Sequence, residues 1–218
     1  MDKVDLLINK LKEKITHIFK EETSGHDIEH LERVLKYAMY LQSKEGGDLI
    51  VVSIASYIHD IHRILSNQKS VYISPAESLP VVSKLIEDLD IEDFQKKKIL
   101  SAVEHHEDYN FNRHSKNKHE IELNIVQDAD NLDAIGAVGL VRAIKYGLKN
   151  NRQMFDKNIP LYQNDYKEGM QDISTIHHIY NKLIRLGLSM NTKTAQKMSK
   201  QKIKFLRNFL KLYISEVS

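Results

Sequence analysis

Apolar residues return every three or four positions along most of this chain, and that period limits what it can fold into. Leu7, Leu11 and Ile15, followed by Ile18 and Phe19, make one stripe; Leu31, Val34, Leu35, Ala38 and Leu41 make another. At 3.6 residues per turn such positions share one face of a helix, whereas a half-buried strand would alternate. Only three prolines and eight glycines interrupt the 218 residues, which favours long helices. The expectation is an all-α bundle of about eight helices without a substantial sheet, folded as one domain over residues 1–218. Two short apolar runs, 49–54 and 70–73, are left open by periodicity alone.

The boundaries follow from local chemistry. One helix should begin after Thr23-Ser24-Gly25, with Asp27 suited to a helix start, and stop before Gly46-Gly47. Others are expected over about 48–61, 75–89, 92–106, 121–148, 172–188 and 191–215, the 75–89 helix opening at Ser74-Pro75. Residues 107–117 read as a loop, and the irregular stretch 150–171 as a lid or the rim of a site. Gly136 and Gly139, a turn apart, suggest close helix packing.

Charge excludes some classes of function. The 32 basic and 30 acidic residues nearly cancel, giving +2, so no general attraction to polyanions follows. Lys193, Lys197, Lys200, Lys202, Lys204, Arg207 and Lys211 form a basic run without an acid, read as a solvated helix face opposite Met198, Ile203, Phe205, Leu206, Phe209 and Leu210. With no cysteine there is no disulfide framework and no thiolate site. A cytoplasmic protein is expected, without membrane contact, because no apolar run approaches ~20 residues. The sequence carries no sign of oligomeric state.

The chemistry gathers in three helical segments. His26 and His30 lie four apart and Arg33 three beyond, so all three project to one side. The apolar run from Leu49 ends abruptly in His59-Asp60. A carboxylate in such company is normally paired or metal-bound, because desolvating it alone costs several kcal/mol or more. A third segment, Val126-Gln127-Asp128-Ala129-Asp130-Asn131-Leu132-Asp133-Ala134-Ile135-Gly136, interleaves three acids with aliphatic residues. Asp130 and Asp133 share a face, while Asp128 points away and suits a cap or a lysine partner. Two imidazoles and two carboxylates from these segments make a set suited to a divalent metal.

The ordered segments Gly25-His26-Asp27-Ile28-Glu29-His30-Leu31-Glu32-Arg33-Val34, His59-Asp60-Ile61 and 126–136 resemble the HD-domain metal-dependent phosphohydrolase superfamily, and within it the bacterial HD hydrolases of the nucleotide pyrophosphohydrolase type. The resemblance implies a metal core over about 25–148 with helices 172–215 packing on it. It implies one divalent ion, Mn²⁺, Mg²⁺, Co²⁺ or Ni²⁺, held by His30, His59, Asp60 and Asp130. Asp60 would also accept a proton from the attacking water, with His26, Arg33, His105 and Asp133 contacting a small phosphorylated, nucleotide-like substrate. The family often places acids shortly after its His-Asp pair; Ile61-His62-Arg63-Ile64-Leu65 supplies none. Two alternatives stand beside this reading. One is a di-iron oxygenase drawing on His105, His106, His114 and His119; the other is a non-catalytic, metal-stapled module whose basic C-terminal helix binds nucleic acid, which the absence of aromatic-interleaved basic residues disfavours.

Overall fold

The computed structural model describes residues 2–19, 26–108, 120–162 and 173–217. They are helical, with no strand among the described residues. The chain divides into two compact units: Met1–Asp108 with Asn117–Asp130, and Tyr109–Lys116 with Asn131–Ser218.

The first unit is built around α3 (Leu49–Ile58), buried from Val51 through Ile58. A helix that is apolar on every side belongs at the centre of a unit, and three helices pack against it: α1 (Lys3–Phe19), α2 (Ile28–Glu45) and α6 (Asp93–His105). The Asp48 side chain starts α3 by accepting from the Ile50 and Val51 amides at 2.8 and 3.2 Å, so the ambiguous run 49–54 is helix. The stretch Leu49–Lys69 is long and apolar enough on composition to cross a membrane, which the sequence expectation overlooked, but 72% of its most apolar 18-residue window is buried within the fold.

Between α3 and α6 run α4 (Ile61–Lys69) and α5 (Pro75–Ile86), the latter opened by a reciprocal Ser74–Glu77 capping box. Helix α4 was not anticipated. It has no side-chain cap and only a short stripe, Ile61 and Ile64 with buried His62, to announce it. It ends at Ser70 in the left-handed region, and residues 71–73 form no strand. Leu7, Leu11 and Ile15 of α1, Leu31 of α2, most of α3, and Leu123 and Val126 of α7 (Ile121–Asp133) share one hydrophobic core.

The second unit holds α8 (Gly136–Lys149), α9 (Thr175–His178), a π-helical turn (Ile179–Leu183), α10 (Ile184–Leu188) and α11 (Lys193–Val217), with α11 packed on α8 and α10. The single helix expected over 121–148 is two. Gly136 has φ +78°, and a Cβ on Gly139 would fall 2.0 Å from the Ala134 carbonyl oxygen. Gly136 supplies the positive φ of the turn between α7 and α8 and packs close to Lys202 of α11, while at Gly139 backbone passes too close for a side chain. On α11, Ala195, Ser199, Ile203, Leu206 and Leu210 are buried while Lys197, Lys200, Lys204, Arg207 and Lys211 are exposed, the solvated basic face expected, except that Phe205 lies exposed on it and Lys202 is half-buried. Most of the loop read over 107–117, and the later part of the stretch 150–171, lie outside the described residues.

Candidate metal centre

The junction of α3 and α4 creates the site. Asp60 takes φ −89° and ψ 12°, leaving the helical region just enough to turn the chain from one helix into the next. That turn brings two adjacent side chains together, with His59 Nε2 3.5 Å from Asp60 Oδ2. Helix α2 supplies His30 from its first turn, where the Asp27 carboxylate caps the helix by accepting from the His30 amide at 2.9 Å. Helix α7 supplies Asp130.

Each of the two imidazoles faces both carboxylates, and the candidate ligand atoms fall into overlapping groups, His30 with His59 and Asp130, and His26 with His30 and Asp60. His30 Nε2 is 3.1 Å from Asp60 Oδ2 and 3.5 Å from Asp130 Oδ1, and His59 Nε2 is 3.7 Å from Asp130 Oδ1. Ligands about 2.1 Å from a common ion stand roughly 3–3.5 Å apart, so these separations suit one. His30 and His59 are fully buried and Asp60 nearly so. The His59 Nδ1 faces the Ser56 carbonyl oxygen at 2.8 Å, and since a carbonyl only accepts, Nδ1 carries the hydrogen. Its Nε2 is buried without a hydrogen-bond partner, an orphaned donor atom aimed at two carboxylates. A ligating histidine is ordinarily held in this way, its other ring nitrogen donating to a carbonyl.

Electrostatics agree. Burial pushes His59 down, but Asp60 and then Asp130 more than offset it and raise its pKa to about 9. Burial opposes the charge on Asp60 as well, and His59, His26 and Arg63 outweigh it, holding the carboxyl well below its usual range. Asp130 is likewise held down by His59 and His30 against its burial.

Around this centre the expected contacts separate. His26 joins it, its Nδ1 2.6 Å from Asp60 Oδ2. Arg33 lies on α2 three residues beyond His30, about a third exposed and 4.0 Å from Glu29. His105 turns outward to Asp108 at 2.8 Å and Glu104 at 3.7 Å. Its neighbour His106 goes inward, fully buried with its ring centroid 5.1 Å from that of His59. Asp133, in the second unit, pairs with Arg142 of α8 at 2.8 Å. Asp128 is fully buried. His114 and His119 lie outside the described residues.

Sequence reasoning missed the roles of His62, Arg63 and Glu107. Arg63 Nε donates to Asp60 Oδ1 at 3.0 Å and its Nη2 donates to Glu107 Oε1, while Glu107 Oε2 lies 3.5 Å from His62 Nε2. An acid thus reaches Arg63 and His62 from Glu107, two residues past the end of α6. Glu107 is held far below its usual range, Arg63 and then His62 outweighing its burial. The only signal available was position: His62 and Arg63 directly follow the pair, and Glu107 follows His106.

The HD domain family model matches residues 27–135, the span that contains all four candidate ligands, and the chain belongs to that family. It is 29% identical to the uncharacterized protein YpgQ of Bacillus subtilis over 198 residues, covering 90% of this chain and 87% of that one. Among solved structures it is similar to an HD-superfamily hydrolase from Bacillus thuringiensis, with TM-score 0.72, 28% identity, and coverage of 99% of this chain and 98% of the other. A crystal structure of B. subtilis YpgQ in complex with ADP shares the fold, with TM-score 0.70, 24% identity and coverage of 99% and 97%. The fold is that of HD-superfamily hydrolases, and HD domains bind divalent metals.

Proposed function

We propose that this protein hydrolyses a phosphoester or phosphoanhydride bond of a nucleotide-like small molecule at a divalent ion held by His30, His59, Asp60 and Asp130. The observation that carries the reading is that His30 Nε2 and His59 Nε2 each lie 3.1–3.7 Å from one oxygen of Asp60 and one of Asp130, with the buried His59 Nε2 lacking any hydrogen-bond partner. A bound divalent ion supplies a hydroxide-like nucleophile and neutralises phosphoryl oxygens.

The side chains do the rest. Asp60 is ionised and placed to receive a proton, and His26, at 2.6 Å and partly exposed, offers it a route outward. Arg33, on the same side of α2 as His30, presents a planar fork suited to phosphate oxygens. Of the other substrate contacts the resemblance implies, His105 turns outward to Asp108 and Asp133 is engaged by Arg142. A nucleotide is favoured because YpgQ, the 29% identical relative, has been crystallised with ADP. The ligand set accepts Mn²⁺, Mg²⁺, Co²⁺ or Ni²⁺, and the absence of cysteine fits a cytoplasmic setting. Nothing in the pattern calls for a membrane or nucleic-acid partner.

The test is a screen of nucleotides and phosphate esters against several divalent ions, comparing the parent with His59→Ala. Phosphate or pyrophosphate release by the parent alone is the expected result; equal release by both proteins would end the proposal.

One observation favours a second, two-metal reading with oxygen chemistry. His62 Nε2, His106 Nε2 and a Glu107 oxygen lie within 4.8 Å of one another. Both imidazoles direct Nδ1 to backbone carbonyls and leave Nε2 buried without a hydrogen-bond partner. Two irons per chain together with oxygen uptake would establish it; one exchangeable ion would dismiss it.

A further inference from the structure

We propose that Glu107 is a positioning residue, fixing Asp60 for metal ligation by way of Arg63. The inference rests on the metal centre proposed above and adds a part to it. Asp60 divides its two oxygens between different tasks. Oδ2 faces His26, His30 and His59 at 2.6, 3.1 and 3.5 Å, whereas Oδ1 is occupied by Arg63 Nε at 3.0 Å. Arg63 thus holds Oδ1 to one side, and Oδ2 is the oxygen turned toward the two buried imidazoles and the ion they would share.

That division holds only while the guanidinium keeps its plane. An arginine fixed through one nitrogen can still swing about its stem, but a planar fork anchored at two points cannot. Glu107 is the second anchor, accepting from Arg63 Nη2. Its side chain is itself mostly buried, at 18% exposed, and its other oxygen faces the buried His62. The carboxylate has a second effect. A guanidinium beside a ligand of a divalent ion would oppose that ion's charge, and Glu107 balances it.

The chain is therefore Asp60, Arg63, Glu107, with no direct contact needed between Glu107 and the ion. Partners of this kind, which orient a ligand rather than bind the metal, typically contribute about 10–100-fold in metal affinity or activity. The pairing joins residues 44 apart in sequence.

The experiment is calorimetric titration of the metal-stripped full-length protein with Mn²⁺, with thermal unfolding of each variant as a separate readout. Glu107→Ala should weaken Mn²⁺ binding about 10–100-fold, and Glu107→Gln, which keeps the shape and one acceptor, should recover part of that loss. Arg63→Lys, retaining charge without the fork, should match Glu107→Ala. Adding Glu107→Ala to Arg63→Lys should cost little more. Variants that unfold at lower temperature yet bind Mn²⁺ like the parent would overturn the proposal, as would fully additive losses. So would removal by Glu107→Ala of a second ion with the first affinity unchanged. A parent that binds no Mn²⁺ would instead overturn the metal centre itself, and this inference with it.

Discussion

His59 and His106 are both fully buried, with ring centroids 5.1 Å apart, and they are driven in opposite directions. His59 is raised to about 9 because Asp60 and Asp130 more than offset its burial. His106 is lowered to about 4 because burial acts almost unopposed, with His59 and His62 adding like charge and only Glu107 and Asp60 pulling back. Burial alone thus fixes neither the charge nor the task of an imidazole. The carboxylates in reach decide: one ring is held charged against acids, and its neighbour is kept neutral beside it.

Removing the acids breaks the contrast most severely. Asp130→Ala should lower divalent-metal affinity by about a thousandfold or more, since it deletes a ligand and leaves a buried charge pattern unbalanced; titration with Mn²⁺ would show it. Next in size is the response of metal binding to pH. His59 holds a proton up to about 9 in the metal-free protein, and the ion must displace it. Affinity should therefore rise about tenfold per unit between pH 7 and 9 and then flatten, a slope that calorimetry at several pH values would measure.

The stability of the metal-free protein sharpens the comparison further. His106 has a folded pKa below the unfolded value near 6.5, so its contribution is present above pH 6.5 and lost as pH falls toward 4. His59 has the opposite sign: its contribution is present below 6.5 and lost as pH rises through 9. Denaturant midpoints should peak near pH 6.5, and His106→Gln should flatten the acid side by up to about 3 kcal/mol. The smallest effect belongs to the exposed neighbour. His105→Ala should leave Mn²⁺ affinity and unfolding temperature nearly unchanged, within about 0.5 kcal/mol.

Much of this was legible from residue types alone. His59 and Asp60 stood out because an apolar helix does not end in charge without cause, and Asp27 announced the start of α2 by its own chemistry. What escaped the sequence depended on phase and on distance through space. His105 and His106 are adjacent and differ by about 100° around the helix, too little context to tell which turns inward. The Arg63–Glu107 pair joins two helix ends that no periodicity relates. The helix expected over 121–148 breaks because Gly136 adopts a positive φ, a choice open to glycine but never demanded by it.

The cap on α2 bears on which substitutions selection can tolerate. The Asp27 side chain holds the backbone amide of His30, so the residue that starts the helix also fixes the backbone that carries a proposed metal ligand. Replacements that can take up the same amide, asparagine, serine and threonine, should be tolerated best. In a saturation library Asp27 should therefore look more constrained than its half-buried position alone would require, a lost cap costing about 1 kcal/mol.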